Sequence, residues 1–244
     1  QGTSFLDFRF ARDHHRLFIP LMPAAAKSIK LGDEYDLIIS DTAGFAKGIS
    51  YGARTKHISY IHTPLRYAWE TKTYFGNSFF AKLLAFIFAP AFWYVRRFDY
   101  RAAQKPDILI ANSRYIAGKI KKYYGRDAQV IYPPIETRTF YHSLSDRTGY
   151  YIAVGRLLEY KRFDLIIEAF NKLQLPMKIV GEGRMKDRLK TLAGPTIEFL
   201  PFQTDEKLRE LYAGAKAFVM ANEEDFGMVM AESLVCGTPV IAYG

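Results

Sequence analysis

The chain has 244 residues, 49% apolar and 24% charged, which fits one large or two ordinary domains with a packed core and excludes a disordered chain. The net charge of +9 suggests an anionic partner (nucleic acid, anionic lipid or a phosphorylated small molecule), although a solvated basic surface accounts for it equally. One cysteine, Cys236, excludes an internal disulfide framework and fits a reducing compartment. No secretory signal is read at the N-terminus, so a cytoplasmic location is expected. The chain does not begin with Met, so an earlier start is expected.

In chain order, "YDLIIS" (35–40) and "HISYI" (57–61) read as buried strands. "LLAFIFAPAFWYV" (83–95), followed by Arg96 and Arg97, is too short to span a bilayer, which needs about 20 residues, and reads as a core or interfacial helix. "DILIANS" (107–113) reads as a strand, with Ser113 capping a helix whose face carries Ile116, Ile120 and Tyr123. "AQVIYPP" (128–134) is a strand stopped by prolines. The polar patch 142–149 suggests a boundary, giving domains 1–143 and 144–244.

Beyond it, "YYIAVG" (150–155), "MKIVGEG" (177–183), "TIEFLPF" (196–202), "AKAFVMA" (215–221) and "PVIAYG" (239–244) read as strands. Phe163, Ile166, Ile167, Phe170 and Leu173 form one helical stripe. Leu208, Leu211 and Tyr212 mark another helix, and a further one is expected from about Gly227. Alternating strands and helices imply α/β architecture: two Rossmann-like domains, each a parallel sheet covered on both faces. Ligands of such sheets sit beyond the carboxyl ends of the strands, so the strand-end loops are where chemistry is expected.

Arg156 and Lys161 follow the strand at 150–155; they suit a diphosphate, or are plain loop charges. Gly181 and Gly183 would let backbone approach a ligand closely, or make a simple turn. In "EEDFGMVMAE" (223–232), Glu224 and Glu232 lie eight residues apart around a helix start. A helix N-terminus near Gly227, Met228 and Val229 is a seat for phosphate. The two carboxylates could accept hydrogen bonds from sugar hydroxyls, or Glu224 could simply be a favourable charge before the helix. Asp225–Phe226–Gly227 spells a kinase triplet, but no Gly-rich nucleotide loop with its strand lysine and no H-R-D triplet precedes it.

"EDFGMVMAESLVCGTPVIA" resembles the E-x7-E signature of the retaining, GT-B-fold glycosyltransferases of family four. "VGRLLEYKRFDLIIEAF" resembles the same family's phosphate-side segment. "YIHTPLRYAWE" and the stretch from Arg96 to Pro134 resemble its bacterial mannosyltransferases of surface polysaccharide synthesis. The resemblance covers about residues 35–244 and implies two domains facing a cleft. In it, Arg156 and Lys161 act on the departing diphosphate, Glu224 on the transferred sugar and Glu232 on the ribose. The helix start from Phe226 to Val229 contributes its N–H groups, and Gly181, Gly183 and Leu200 line the donor. His62 lies near donor sugar and acceptor, and Arg66 and Tyr67 are candidate acceptor contacts. The donor implied is a nucleotide-diphosphate sugar, GDP-mannose, and the acceptor a saccharide on a polyprenyl diphosphate. No metal or other cofactor is implied, and the protein would work in the cytoplasm or peripherally on the inner membrane face.

Four features depart from the pattern. Asp225 and Arg162 stand where glycines are usual, the N-terminal Gly-rich loop is not found, and the family's closing segment does not follow Gly244. Both domains are therefore expected to be cut short. The alternatives are another GT-B enzyme, such as a nucleotide-sugar epimerase or a phosphorylase-like protein, and a basic Rossmann-like module binding nucleic acid.

Overall fold

A computed structural model describes residues 3–70, 89–142 and 149–243, apart from the side chains of Arg16 and Tyr67. The chain divides into two compact units, Gln1–Tyr132 and Pro133–Gly244. The units part ahead of the polar patch at 142–149, because Phe140 is buried in the second unit against Tyr212.

The first unit opens with helices α1 (Arg9–Asp13) and α2 (Met22–Ser28), joined by a 3-10 segment, His15–Leu21. Its sheet contains β1 (Leu37–Thr42), β2 (Lys56–Ile61), β3 (Ile108–Ala111) and the two-residue β4 (Gln129–Val130), in that spatial order and all parallel. Between β2 and β3 lie α3 (Arg66–Trp69) and α4 (Ala89–Ala103), and α5 (Arg114–Tyr124) joins β3 to β4. The apolar run expected to be helical from Leu83 lies outside the described residues up to position 88; its remainder opens α4. Among the described residues no helix is long and apolar enough to cross a membrane.

Ser113 caps α5, its hydroxyl accepting from the Ile116 N–H at 3.1 Å, and Gly125 ends the helix in the left-handed conformation at φ 69°. Ile61, Leu109 and Ala111 pack on Ile116, Ile120 and Tyr124 of α5. Tyr124, rather than Tyr123, fills the stripe; Tyr123 instead stacks on Trp69 at 4.9 Å. Double covering is not uniform here: Leu37 and Ile39 of β1 alternate onto a face where they stay exposed.

The second unit is a five-stranded parallel sheet ordered β7-β6-β5-β8-β9, built from β5 (Tyr150–Val154), β6 (Met177–Val180), β7 (Ile197–Leu200), β8 (Ala215–Met220) and β9 (Val240–Ala242). The connecting helices are α6 (Phe163–Leu173), α7 (Lys186–Leu192), α8 (Asp205–Ala213) and α9 (Met228–Val235). Because side chains alternate along a strand, β5 feeds two cores. Tyr150 and Ile152 pack with Leu208, Leu211 and Tyr212 of α8, while Ala153 joins Phe163, Ile166, Ile167 and Phe170 of α6 on the other face. Leu173, the last member of the predicted stripe, is exposed at the helix end.

This order, reading outward both ways from β5, is the doubly wound arrangement, and its reversal falls between β5 and β8. At such a point the loops leaving two neighbouring strands run in opposite directions, which is where ligands of these sheets bind. The second unit therefore has one topologically favoured place for a ligand, between the loop from Gly155 and the loop from Ala221.

Candidate active site

The loop after β5 carries Arg156 and, in a short 3-10 turn (Glu159–Lys161), Lys161. Tyr160 lies between the two cations: its hydroxyl accepts from Arg156 Nη2 at 3.1 Å, and Lys161 Nζ stands 5.5 Å from its ring centre. The loop after β8 carries Glu224. Lys161 Nζ pairs with Glu224 Oε1 directly across the switch point, and both side chains are 17% exposed. Asn222 Nδ2 donates to the same oxygen at 3.0 Å and to the Glu223 carbonyl at 2.8 Å, which fixes the carboxylate from behind. Lys161 and Glu224, far apart in sequence, thus meet at one place, with Arg156 on the same loop as Lys161.

Gly181 and Gly183 have a definite packing role. A Cβ on Gly181 would lie 2.0 Å from the Gly155 carbonyl oxygen, and one on Gly183 2.3 Å from that of Leu157. The loop after β6 lies flat against the loop that carries Arg156, held by Leu157 N–H to Glu182 O at 2.8 Å and Met185 N–H to Leu157 O at 3.1 Å. Leu157 itself is fully buried. The glycines let one backbone close on another and so position Arg156. Leu200 ends β7 at the sheet edge, where its carbonyl accepts from Gly181 N–H at 3.2 Å.

Helix α9 begins at Gly227, which adopts φ 85° and has no side chain capping the helix behind it. A Cβ there would lie 2.1 Å from Met230 Cε and would also force a side chain into the left-handed region. Met228 and Val229 form the first turn, whose N–H groups and dipole favour negative charge. Phe226 and Asp225 are half-buried beside it. About one turn further along the helix, Glu232 is half-buried with Tyr212, whose hydroxyl donates to Oε2 over a long 3.4 Å. Burial pushes the Glu232 carboxyl above its usual range; the nearby Asp205 charge adds to this and the Tyr212 bond opposes it.

In the first unit, His62 directly follows β2. Its Nε2 lies 2.5 Å from Asp41 Oδ1, its ring meets Tyr60 edge-on at 5.2 Å, and its N–H donates to the Thr42 carbonyl at 2.9 Å. Asp41 and Tyr60 are register partners at the ends of β1 and β2. A carboxylate at Nε2 accepts from that nitrogen and so fixes the orientation of the ring. Arg66 opens α3 with its Nε buried. Tyr67 is in the same helix, but its side chain is outside the described residues. Among the described residues no group of three His, Cys, Asp or Glu side chains is placed to hold a metal ion.

Four further residues belong to these sites without standing out in the sequence: Asp41, Tyr160, Tyr212 and Asn222. Asp41 is the penultimate residue of β1, and only the register with β2 shows that it meets His62. Tyr160 lies between two cations. Tyr212 reads as core, and only its hydroxyl departs from that.

Residues 4–139 match the model of Glycosyltransferase Family 4, and residues 136–244 match that of Glycosyl transferases group 1. The chain belongs to the family-four glycosyltransferases. It is similar to the D-inositol 3-phosphate glycosyltransferase of Nocardiopsis dassonvillei, 30% identical over 60% of this chain and 42% of that protein. It is also similar to the mannosylfructose-phosphate synthase of Agrobacterium fabrum, 30% identical over 37% of this chain and 24% of that one. Among solved structures it resembles an Anabaena protein in complex with UDP and glucose, with a TM-score of 0.60 at 20% identity over 93% of this chain and 62% of that chain. The chain spans less than half the length of these curated relatives.

Proposed function

We propose that the protein containing this chain transfers a hexose, with retention of anomeric configuration, from a nucleotide-diphosphate sugar to a saccharide acceptor. The observation that carries this reading is the Lys161–Glu224 pair across the β5/β8 switch point, with Arg156 on the loop of Lys161 and the start of α9 a few residues after Glu224. Cations and helix N–H groups stabilise charge as it gathers on the departing diphosphate, the kind of transition-state electrostatics that contributes most to such reactions. Glu224 accepts hydrogen bonds from the hydroxyls of the transferred sugar and orients its anomeric carbon. Glu232 accepts from the nucleotide ribose, with Tyr212 holding it. Gly181, Gly183 and Leu200 shape the donor side, and Leu200 leads into the loop that meets the base. His62, held by Asp41, and Arg66 and Tyr67 serve the acceptor. The reaction uses no metal.

The donor we propose is GDP-mannose and the acceptor a polyprenyl-diphosphate-linked saccharide of cell-surface polysaccharide synthesis, met at the cytoplasmic membrane face. The mannosyl likeness of residues 60–70 and 96–134 supports this, as does the mannosyl product in the name of the Agrobacterium relative. The test is sugar transfer by the complete protein from GDP-mannose and from UDP-glucose, with the product anomer assigned by NMR. Glu224→Ala should fold and lose transfer by at least about a hundredfold, the scale of removing a transition-state contact. Retained turnover in that variant overturns the role of Glu224, an inverted product overturns retention, and turnover from UDP-glucose alone overturns the donor.

A further inference from the structure

We propose that the outward face of α4 docks on a membrane surface containing anionic lipid. The helix has two faces of different chemistry. Val95, Phe98, Asp99, Ala102 and Ala103 point inward and are buried. The opposite side carries Trp93, Arg96, Arg97 and Tyr100 at i, i+3, i+4 and i+7, with Tyr94 and Arg101 flanking them. Trp93 is 61% exposed, Tyr94 44% and Tyr100 45%. Its one carboxylate, Asp99, points inward, so no negative side chain of the helix is exposed.

The aromatic rings and the cations are already organised together. Arg97 lies over the Trp93 ring at 5.5 Å, while Arg96, over the Trp69 ring at 5.4 Å, donates from Nε and Nη2 to the Ala68 carbonyl at 2.9 and 2.7 Å, so Arg97 and Arg101 are the cations offered to lipid. Trp69, Trp93, Arg96, Arg97 and Tyr100 line a shallow groove of about 230 Å³. Trp and Tyr rings settle at the level of lipid headgroups, and guanidinium groups reach the phosphates just outside them. Anionic lipid adds attraction for each nearby cation, and the net charge of +9 adds a longer-range field. Stacking of unpaired nucleic-acid bases would need open ring faces. Here each tryptophan already has a guanidinium over it, which favours a lipid surface over nucleic acid.

This inference rests for its purpose on the lipid-borne acceptor proposed above, but it is measured without any transfer. The complete protein is sedimented with vesicles of phosphatidylcholine alone and of phosphatidylcholine mixed equally with phosphatidylglycerol. Binding should be strong to the mixed vesicles, near background on the neutral ones, and weakened by salt. Arg97→Gln/Arg101→Gln should cost about thirtyfold in affinity for the mixed vesicles. The control Arg188→Gln/Lys190→Gln, on exposed positions of α7, should leave it unchanged, and both variants should melt as the parent does. Equal binding to the two vesicle types overturns the proposal, as does an equal loss from the two variant pairs. Retention on polyuridylate that the Arg97/Arg101 pair abolishes, without vesicle binding, also overturns it and assigns the face to nucleic acid.

Discussion

Glu232 shows how surroundings set a side chain's behaviour at the scale of one residue. It sits in the apolar run of α9, half-buried, and burial raises its proton affinity. A carboxyl must be ionised to be a full acceptor for ribose hydroxyls. Donor affinity should therefore fall on acidification at a pH above the ordinary glutamate value of about 4.3. The sign for folding is the opposite. A carboxyl with raised folded pKa binds its proton more tightly when native, so its contribution to stability weakens as pH rises from the ordinary value through the raised one. Titrating donor binding against pH checks this: Glu232→Gln should flatten the profile, and an unchanged profile contradicts the assignment. The Glu224/Glu232 spacing was legible in the sequence because it brackets a helix start. Asp41 was not, because a carboxylate at the end of a strand gives no sign that it faces a histidine in the next strand until the register Asp41↔Tyr60 is known.

At the scale of elements, the first unit is tied together by one buried charge. Asp99 of α4 pairs with Lys47 Nζ at 2.5 Å, with both side chains at most 1% exposed. Its other oxygen accepts from Trp69 Nε1 of α3 and from the Tyr124 hydroxyl of α5, each at 2.7 Å. Lys47 also donates to the Gly44 carbonyl at 2.7 Å. The loop after β1 and three helices thus share one carboxylate. Removing one partner of such a pair leaves the other charge buried and uncompensated, at a cost of about 3–5 kcal/mol. Asp99→Ala should lower the unfolding free energy by that amount in a denaturant titration, and a change of less than about 1 kcal/mol would contradict the network. In the sequence, Lys47, Asp99 and Tyr124 look like three unrelated surface residues. Long periodic elements such as α6 were legible, its stripe buried as expected except at Leu173. The short helices α1, α2 and α7 were missed, because one or two turns give no readable period. Arg162, where the family usually has glycine, adopts the left-handed φ of 53° and pairs with Asp164 at 3.1 Å. The unusual residue thus keeps the backbone conformation that glycine would provide.

At the scale of the whole molecule, alternation of strands and helices made two parallel α/β units legible, but not the strand order or which strand-end loops are neighbours. The order β7-β6-β5-β8-β9 puts Arg156, Lys161 and Glu224 at the point where the winding reverses. Residues 133–142, read from the sequence as the end of the first domain, belong to the second unit, where Phe140 packs in the core. If this switch point binds a nucleotide-diphosphate sugar, calorimetric titration of the complete protein should show GDP-mannose and GDP binding while mannose alone does not. Lys161→Ala should then weaken GDP-mannose by at least about tenfold, the scale of a charge-assisted contact. Equal affinity of the parent and Lys161→Ala for GDP-mannose would contradict that assignment.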